Sequence, residues 1–285
     1  MIVTADDFGL HESVNEAVEQ ASRAGTLNAA SLMVQAPATK DAIRRARLLP
    51  NLRVGLHVVL ADGWSTLEGP TIPEIADASG RMSGGMIGKS IRFFVKPAAR
   101  AQLEAEIRAQ FAAFTRTGLK LDHVNVHKHF HVHPTVLSIL LQVAMDYGMP
   151  AIRVPDEPFW FAARSAGMPA GTTQGLLTPR IVLMKRWLNA AGVFHNDRIF
   201  GIAGSGHMDE ADLLAILARL PGGVSEIYLH PGTESGSVIA PSMNQYRHAE
   251  ELGALLSPKV GAALRRVPVR GGYCDVLRAV GRTAA

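Results

Sequence analysis

Short apolar runs alternate with stretches of helical periodicity along most of the chain, and this alternation narrows the fold more than any other feature. Residues 2–4 read as a strand; Val14, Ala17, Val18 and Ala21 then recur at helical spacing, and Gly25 stands where a helix-ending glycine belongs. Residues 30–34, 53–59, 121–126, 151–154 and 226–229 read as further strands. Helical patterns over 38–48, 103–114, 134–147, 209–220 and 242–256 fall between or after them. Strands alternating with helices demand βαβ units and a mostly parallel sheet. Six such strands, and a seventh expected over 267–269, favour a closed or nearly closed α/β barrel over a small open sheet. Two stretches break the alternation. Residues 64–97 are rich in Gly, Pro and Met, and residues 155–206 carry Phe159, Trp160, Phe161, Trp187 and Phe194 among Arg and Lys. Long insertions in α/β barrels usually cover the C-terminal mouth, so both are expected over the site, within one domain spanning residues 1–285.

Composition sets the outer limits. Of 285 residues 47% are hydrophobic and 19% charged, which is enough apolar material for a large core and too much for a disordered chain. The net charge of +4 comes from scattered Lys and Arg without a long basic run. That pattern argues against a nucleic-acid partner and is compatible with an anionic surface, membranes included. Cys274 is the one cysteine, so an internal disulfide and a thiolate metal cluster are both excluded, and any metal must be held by His and carboxylate. The opening residues have no basic stretch followed by an apolar one, and no apolar run is long enough to span a bilayer. The expected compartment is therefore the cytoplasm. A homodimer is compatible with all of this but nothing in the sequence requires it.

The polar residues that stand out cluster at predicted strand ends. Asp6 and Asp7 follow the first strand, His57 lies in the third, and Arg153 and His230 end later ones. Five of the 11 histidines fall between His123 and His133, at every second position except 125. An extended segment would put them on one face. In a parallel α/β fold these C-terminal ends meet at one surface. Each residue also has an ordinary structural reading: Asp6 and Asp7 as helix caps, His57 as a core histidine, Arg153 in a salt bridge elsewhere, His230 in a loop. Against the first, two adjacent carboxylates after a buried strand repel unless a cation or proton divides their roles. His127, nearest the predicted strand end, is the candidate ligand of the histidine-rich segment. Two histidines and a carboxylate with open positions suit zinc, iron, cobalt or nickel. Such an ion activates water and polarises a carbonyl, a free carboxylate can take the proton, and a second histidine can protonate a leaving amine. That inventory is sufficient for amide hydrolysis.

The set Thr4-Ala5-Asp6-Asp7-Phe8-Gly9, Gly55-Leu56-His57, His123-Val124-Asn125-Val126-His127-Lys128-His129 and Leu229-His230-Pro231-Gly232 resembles the YdjC-like (ChbG) carbohydrate deacetylases. The resemblance implies an irregular (β/α) barrel and removal of acetyl from N-acetylated sugars. It implies Asp7, His57 and His127 as ligands of one divalent ion, with zinc expected first and magnesium, cobalt or nickel as alternatives. It further implies Asp6 as the base, His230 as the acid and Arg153 as the arginine that orients the base. Within the family, Ile2-Val3-Thr4-Ala5-Asp6-Asp7, Ala30-Ser31-Leu32-Met33-Val34, Asn125 to His131 and Arg92-Phe93-Phe94 are similar to the hopanoid biosynthesis-associated members. That implies an N-acetylglucosaminyl hopanoid glycolipid as substrate and peripheral contact with the inner membrane face. Soluble N-acetylated oligosaccharides, or a phosphoester, are the alternatives. The usual family segment Asp-Ser-His-His-His-Val-His begins differently here: Asn125 and Lys128 replace an Asp and a His, while His127 is kept.

Overall fold

The computed structural model describes residues 1–83, 85–166, 172–234 and 236–281, with side chains except at 163–177 and 237. Among the described residues ten strands form in chain order: β1 (Ile2–Phe8), β2 (Ala29–Leu32), β3 (Arg53–Val58), β4 (Gly63–Trp64), β5 (Arg81–Met82), β6 (Leu121–Val126), β7 (Ala151–Ile152), β8 (Phe194–His195), β9 (Arg198–Phe200) and β10 (Ser225–Leu229). Eight make one parallel sheet in the order β8-β7-β6-β3-β2-β1-β10-β9, and β4 pairs with β5 as a separate antiparallel hairpin. Every residue of β1, β2 and β10 is buried, as expected for a parallel sheet covered on both faces. The covering helices are amphipathic. Helix Glu12–Arg23 buries Val14, Ala17, Val18 and Ala21, and the His11 side chain caps its start. Asp209 caps helix Glu210–Leu217 by accepting from the Asp212 amide at 2.9 Å.

The sheet curls into a barrel, and its order shows why. β8 and β9 stand at opposite edges of the sheet, yet only Asn196 and Asp197 separate them in sequence. Three Cα steps reach at most about 11 Å, so the two edges must lie close together. Asn196 bridges the seam. Its Oδ1 accepts from the Val154 amide at 2.7 Å, and its Nδ2 donates to the Val154 carbonyl at 2.8 Å and the Arg198 carbonyl at 3.1 Å. The Ile199 amide adds a bond to the Asp156 carbonyl at 3.1 Å.

Three sequence expectations need correction. Residues 267–269 are not a strand: Pro268 has no amide to give to a ladder, and the Val269 carbonyl instead accepts from the Met1 amine at 3.0 Å. The stretch 155–206 is more than an insertion, because it supplies β8 and β9; the part at 167–171 lies outside the described residues. Strands of two and three residues are too short to display an alternating pattern. The histidine-rich segment is not one extended face. β6 ends at Val126, and residues His127–Val132 form a 3₁₀ turn in which Lys128 and His129 adopt φ of 56° and 53°.

Candidate active site

Asp7, His57 and His127 converge at the C-terminal end of the barrel. Neighbouring residues of a regular strand point to opposite faces, so Asp6 and Asp7 should not share a site. A register shift between Ala5 and Phe8, with Asp7 at φ 61°, removes the conflict. A bulge of this kind re-aims a side chain, and a non-glycine residue in the left-handed region costs roughly 1–3 kcal/mol. The Asp7 Oδ1 lies 3.3 Å from His57 Nε2 and 3.4 Å from His127 Nδ1, and those two nitrogens are 3.2 Å apart. Donors bound at about 2.0–2.1 Å in tetrahedral geometry sit roughly 3.3 Å from one another, so the spacing fits one small divalent ion. All three residues are buried, and neither Asp7 oxygen receives a hydrogen bond from the described residues. An ionised carboxylate in that condition needs a cation. Burial works against charge on Asp7, but His127 and His57 hold its pKa well below the usual carboxylate range.

Asn125, at the end of β6, sets the state of His57. Its Nδ2 donates to Asp6 Oδ1 at 3.0 Å and to Ser31 Oγ at 2.8 Å, which leaves Oδ1 facing His57 Nδ1 at 2.7 Å. His57 must therefore donate from Nδ1 and keep the Nε2 lone pair for a metal. The chain continues downward through the barrel. Ser31 Oγ meets His123 Nε2 at 3.0 Å, His123 Nδ1 meets Asp122 Oδ2 at 3.0 Å, and Asp122 accepts the Tyr273 and Cys274 amides, each at 2.9 Å.

Asp6 belongs to a second buried cluster. Arg153 clamps it with bonds of 2.5 and 2.9 Å, and the same guanidinium binds Glu226 at 2.7 and 3.0 Å. Thr4 and Tyr273 also donate to Glu226, at 2.7 and 2.6 Å. Arg153 is wholly buried, its cation over the Tyr228 ring at 4.6 Å. Burial works against charge on Asp6, but Arg153, with His57 and His230 adding to it, keeps the carboxyl ionised far below its ordinary range. His230 is pushed down to about 4 by burial, against the opposing pull of Asp7 and Asp6, and its Nδ1 has no partner among the described residues. It lines a cavity of about 200 Å³ together with Asp6, His57, His127, Tyr228 and Tyr246. A larger groove of about 1080 Å³ opens beside Met1 and Ser225, at the N-terminal ends of the strands, and contains none of these groups.

All six residues singled out in the sequence thus meet at one end of the barrel. Of the other histidines of the rich segment, His129 lines the same cavity, its Nε2 3.2 Å from the Tyr228 hydroxyl, whereas His131 Nε2 is 2.8 Å from the Arg153 carbonyl and the His133 ring meets Phe94. Sequence reasoning missed Asn125 as a bridge, Glu226 as the second counter-charge to Arg153, and Glu251, which accepts the His230 amide at 2.5 Å. Glu226 left a readable trace as an acidic residue inside a mostly apolar strand, and Asn125 as a departure from the usual family segment.

The sequence profile of the YdjC-like proteins matches residues 1–266. The chain belongs to the YdjC-like family. Relatives described as carbohydrate deacetylases include one from Brevibacillus brevis, 36% identical over 155 residues, covering 54% of this chain and 59% of that protein. One from Geobacillus stearothermophilus is 34% identical over 149 residues, 52% of this chain and 57% of the relative. One from Danio rerio is 31% identical over 159 residues, 55% and 50%. The matched stretch spans between 50% and 59% of the length of these relatives. A crystal structure from Enterococcus faecalis V583, provisionally assigned to cellobiose-phosphate cleavage, superposes with a TM-score of 0.74 over 97% of both chains at 20% identity. That likeness supports the barrel and its topology.

Proposed function

We propose that this YdjC-like chain is a metal-dependent deacetylase that removes acetyl from an N-acetylated sugar, with an N-acetylglucosaminyl hopanoid glycolipid as its substrate. The observation that carries the chemistry is the buried, hydrogen-bond-free Asp7 carboxylate within 3.4 Å of two imidazole nitrogens. Asp7, His57 and His127 would hold one divalent ion, zinc or a similar metal. Such an ion, when bound, acidifies water and polarises an amide carbonyl. Asp6, kept ionised by Arg153, takes a proton from the attacking water. Because Arg153 also makes Asp6 a weak base, it gives that proton up readily. His230 is neutral before reaction and lines the same cavity, so it is placed to receive a proton and deliver it to the leaving nitrogen.

The lipid part of the reading is supported by helix Met86–Val95. Ile87, Ile91, Phe94 and Val95 lie exposed at helical spacing, Ile87 at 81%. Phe93, on the other side, is buried against Phe130, with ring centres 5.7 Å apart, next to the histidine-rich turn at the mouth. Among the described residues no helix is long and apolar enough to cross a membrane, so contact would be made by such a rim. The test is mass spectrometry of N-acetylglucosaminyl hopanoid and of soluble chitooligosaccharide, each incubated with metal-loaded and chelated protein. Loss of one acetyl from the hopanoid, dependent on metal, is expected. Turnover that survives full metal depletion refutes the metal role, and turnover of the soluble sugar alone refutes the lipid substrate.

A further inference from the structure

Among the described residues four that are not glycine stand in left-handed backbone: Asp7, Asp62, Lys128 and His129. All four lie around His127, and two of them are joined. Lys128, at φ 56°, and Asp62, at φ 53°, form an ion pair of 2.6 Å between Nζ and Oδ2. The lysine side chain is 38% exposed and the aspartate 15%. A partly exposed ion pair adds little to a fold, less than two such residues lose in left-handed backbone. Stability therefore does not account for the pair, whereas strain of this kind gathers at active sites and ligand clamps. Lys128 lines the cavity of about 200 Å³ that Asp6, His57, His127 and His230 also border. Asp62 lines an adjoining crevice of about 30 Å³, and His127 and Ser242 wall both spaces. The crevice is too small for a ligand, so a ligand of this pair occupies the larger cavity.

Resting on the deacetylase reading, we propose that Lys128 determines specificity by donating to a hydroxyl oxygen of the pyranose ring that bears the acetamido group, with Asp62 fixing the ammonium in place. An ammonium has three donors, and Asp62 takes one, which leaves two for a ligand. The carboxylate also cancels the charge of the lysine. A neutral pair suits an uncharged hydroxyl, whereas a phosphate would meet the repulsion of Asp62 as well as the attraction of Lys128. Position points to the same group. Lys128 follows His127 directly, so its side chain starts one residue from the metal trio. In a 2-acetamido sugar only the amide nitrogen separates the acyl carbon from the ring, so ring hydroxyls are the groups that come within reach of that side chain. Lys128 also stands where the usual family segment has a histidine, which makes this contact a property of this chain.

Lys128→Met keeps the apolar stem and removes the ammonium; Lys128→Gly also relieves the left-handed backbone. Metal-loaded wild type, K128M and K128G are compared on methyl 2-acetamido-2-deoxyglucopyranoside, its 3-, 4- and 6-deoxy analogues and its 6-phosphate, with bound metal and melting temperature measured alongside. K128M is expected to lose roughly 10–100-fold in kcat/KM on the parent glycoside and about threefold or less on one of the deoxy analogues, so that the two losses do not add. Bound metal should be unchanged. K128G should show the same loss while its melting temperature holds or rises, which a pair serving only to tie two loops would not allow. Wild-type kinetics in K128M, equal losses on every glycoside, or a loss confined to the 6-phosphate overturns the proposal. So does a lower melting temperature in K128G with its kinetics intact. Calorimetric binding of the parent glycoside separates the subsite from the reading it rests on. If wild type releases no acetate, the deacetylase reading fails, while a binding loss of roughly tenfold or more in K128M, absent with one deoxy analogue, still upholds the subsite. Equal binding by both proteins refutes it.

Discussion

At the scale of single residues, the two adjacent aspartates divide between a metal and an arginine. Asp7 faces His57 and His127 without a hydrogen bond, whereas Asp6 is clamped by Arg153 and Asn125. Their substitution should separate binding from turnover. Asp6→Asn is expected to keep its metal and lose about 10²–10⁴-fold in kcat, the range of a general base, whereas His127→Ala should emerge from purification without metal. Elemental analysis and acetate release together check this, and a fully active D6N enzyme would remove Asp6 from the mechanism. Asn125 acts one step back. Asn125→Leu frees His57 to take the wrong tautomer, so metal affinity should fall about 10–100-fold. Asn125→Asp restores the residue of the usual family segment and keeps the acceptor for His57, so it should hold its metal. Competition with a chromophoric chelator measures both, and wild-type affinity in N125L would show that the bridge is dispensable.

At the scale of elements, what could be read from the chain depended on length. β1, β3, β6 and β10 are five to seven residues long, and their apolar character shows directly in sequence. β8 and β9 are two and three residues long, so their membership of the sheet is decided by what they pack beside. The site was legible in its residue types, and the resemblance supplied the ligand set. Its geometry was not legible: the bulge that turns Asp6 and Asp7 toward one site, and the 3₁₀ turn that breaks up the histidines, arise from left-handed backbone at Asp7, Lys128 and His129 that no residue type announces. Close packing between strands gives a further expectation. A Cβ on Gly55 of β3 would stand 2.5 Å from the His123 ring of β6. Gly55→Ala should therefore cost about 1–3 kcal/mol, read as a lower denaturant midpoint, by pushing His123 off Ser31. An unchanged midpoint would mean that His123 can move freely.

At the scale of the whole molecule, the barrel interior is polar, and its titration shapes stability. Burial raises the pKa of Glu251 to about 8, although it accepts the Met208 and His230 amides at 3.0 and 2.5 Å. The native state therefore keeps a proton that the unfolded chain releases near pH 4.5, and stability falls as pH rises from there to about 8. The buried histidines act in the other direction. His131 and His230 are lowered to about 4 by burial, so their contribution is complete above pH 6.5 and is lost as pH falls toward 4. Glu251→Gln isolates the first effect. The stability of wild type relative to E251Q should decline between pH 5 and 8, by at most about 1.4 kcal/mol per pH unit. Urea titrations at both ends of that window measure it, and a gap independent of pH would show that Glu251 does not titrate there.

The seam at Asn196 gives the cylinder the mechanics of a split ring. Around the rest of its circumference the wall is a ladder of backbone hydrogen bonds, which share any load among many equivalent links. Between the ends of β7 and β9 it is fastened by the Asn196 amide, the Ile199–Asp156 backbone bond and the Arg198–Asp156 ion pair at 2.9 Å. Outward pressure at the mouth, such as a bulky head group would exert, must concentrate on that fastening. The line along which this barrel gives way therefore follows these few links, and it runs beside the strand end that presents Arg153.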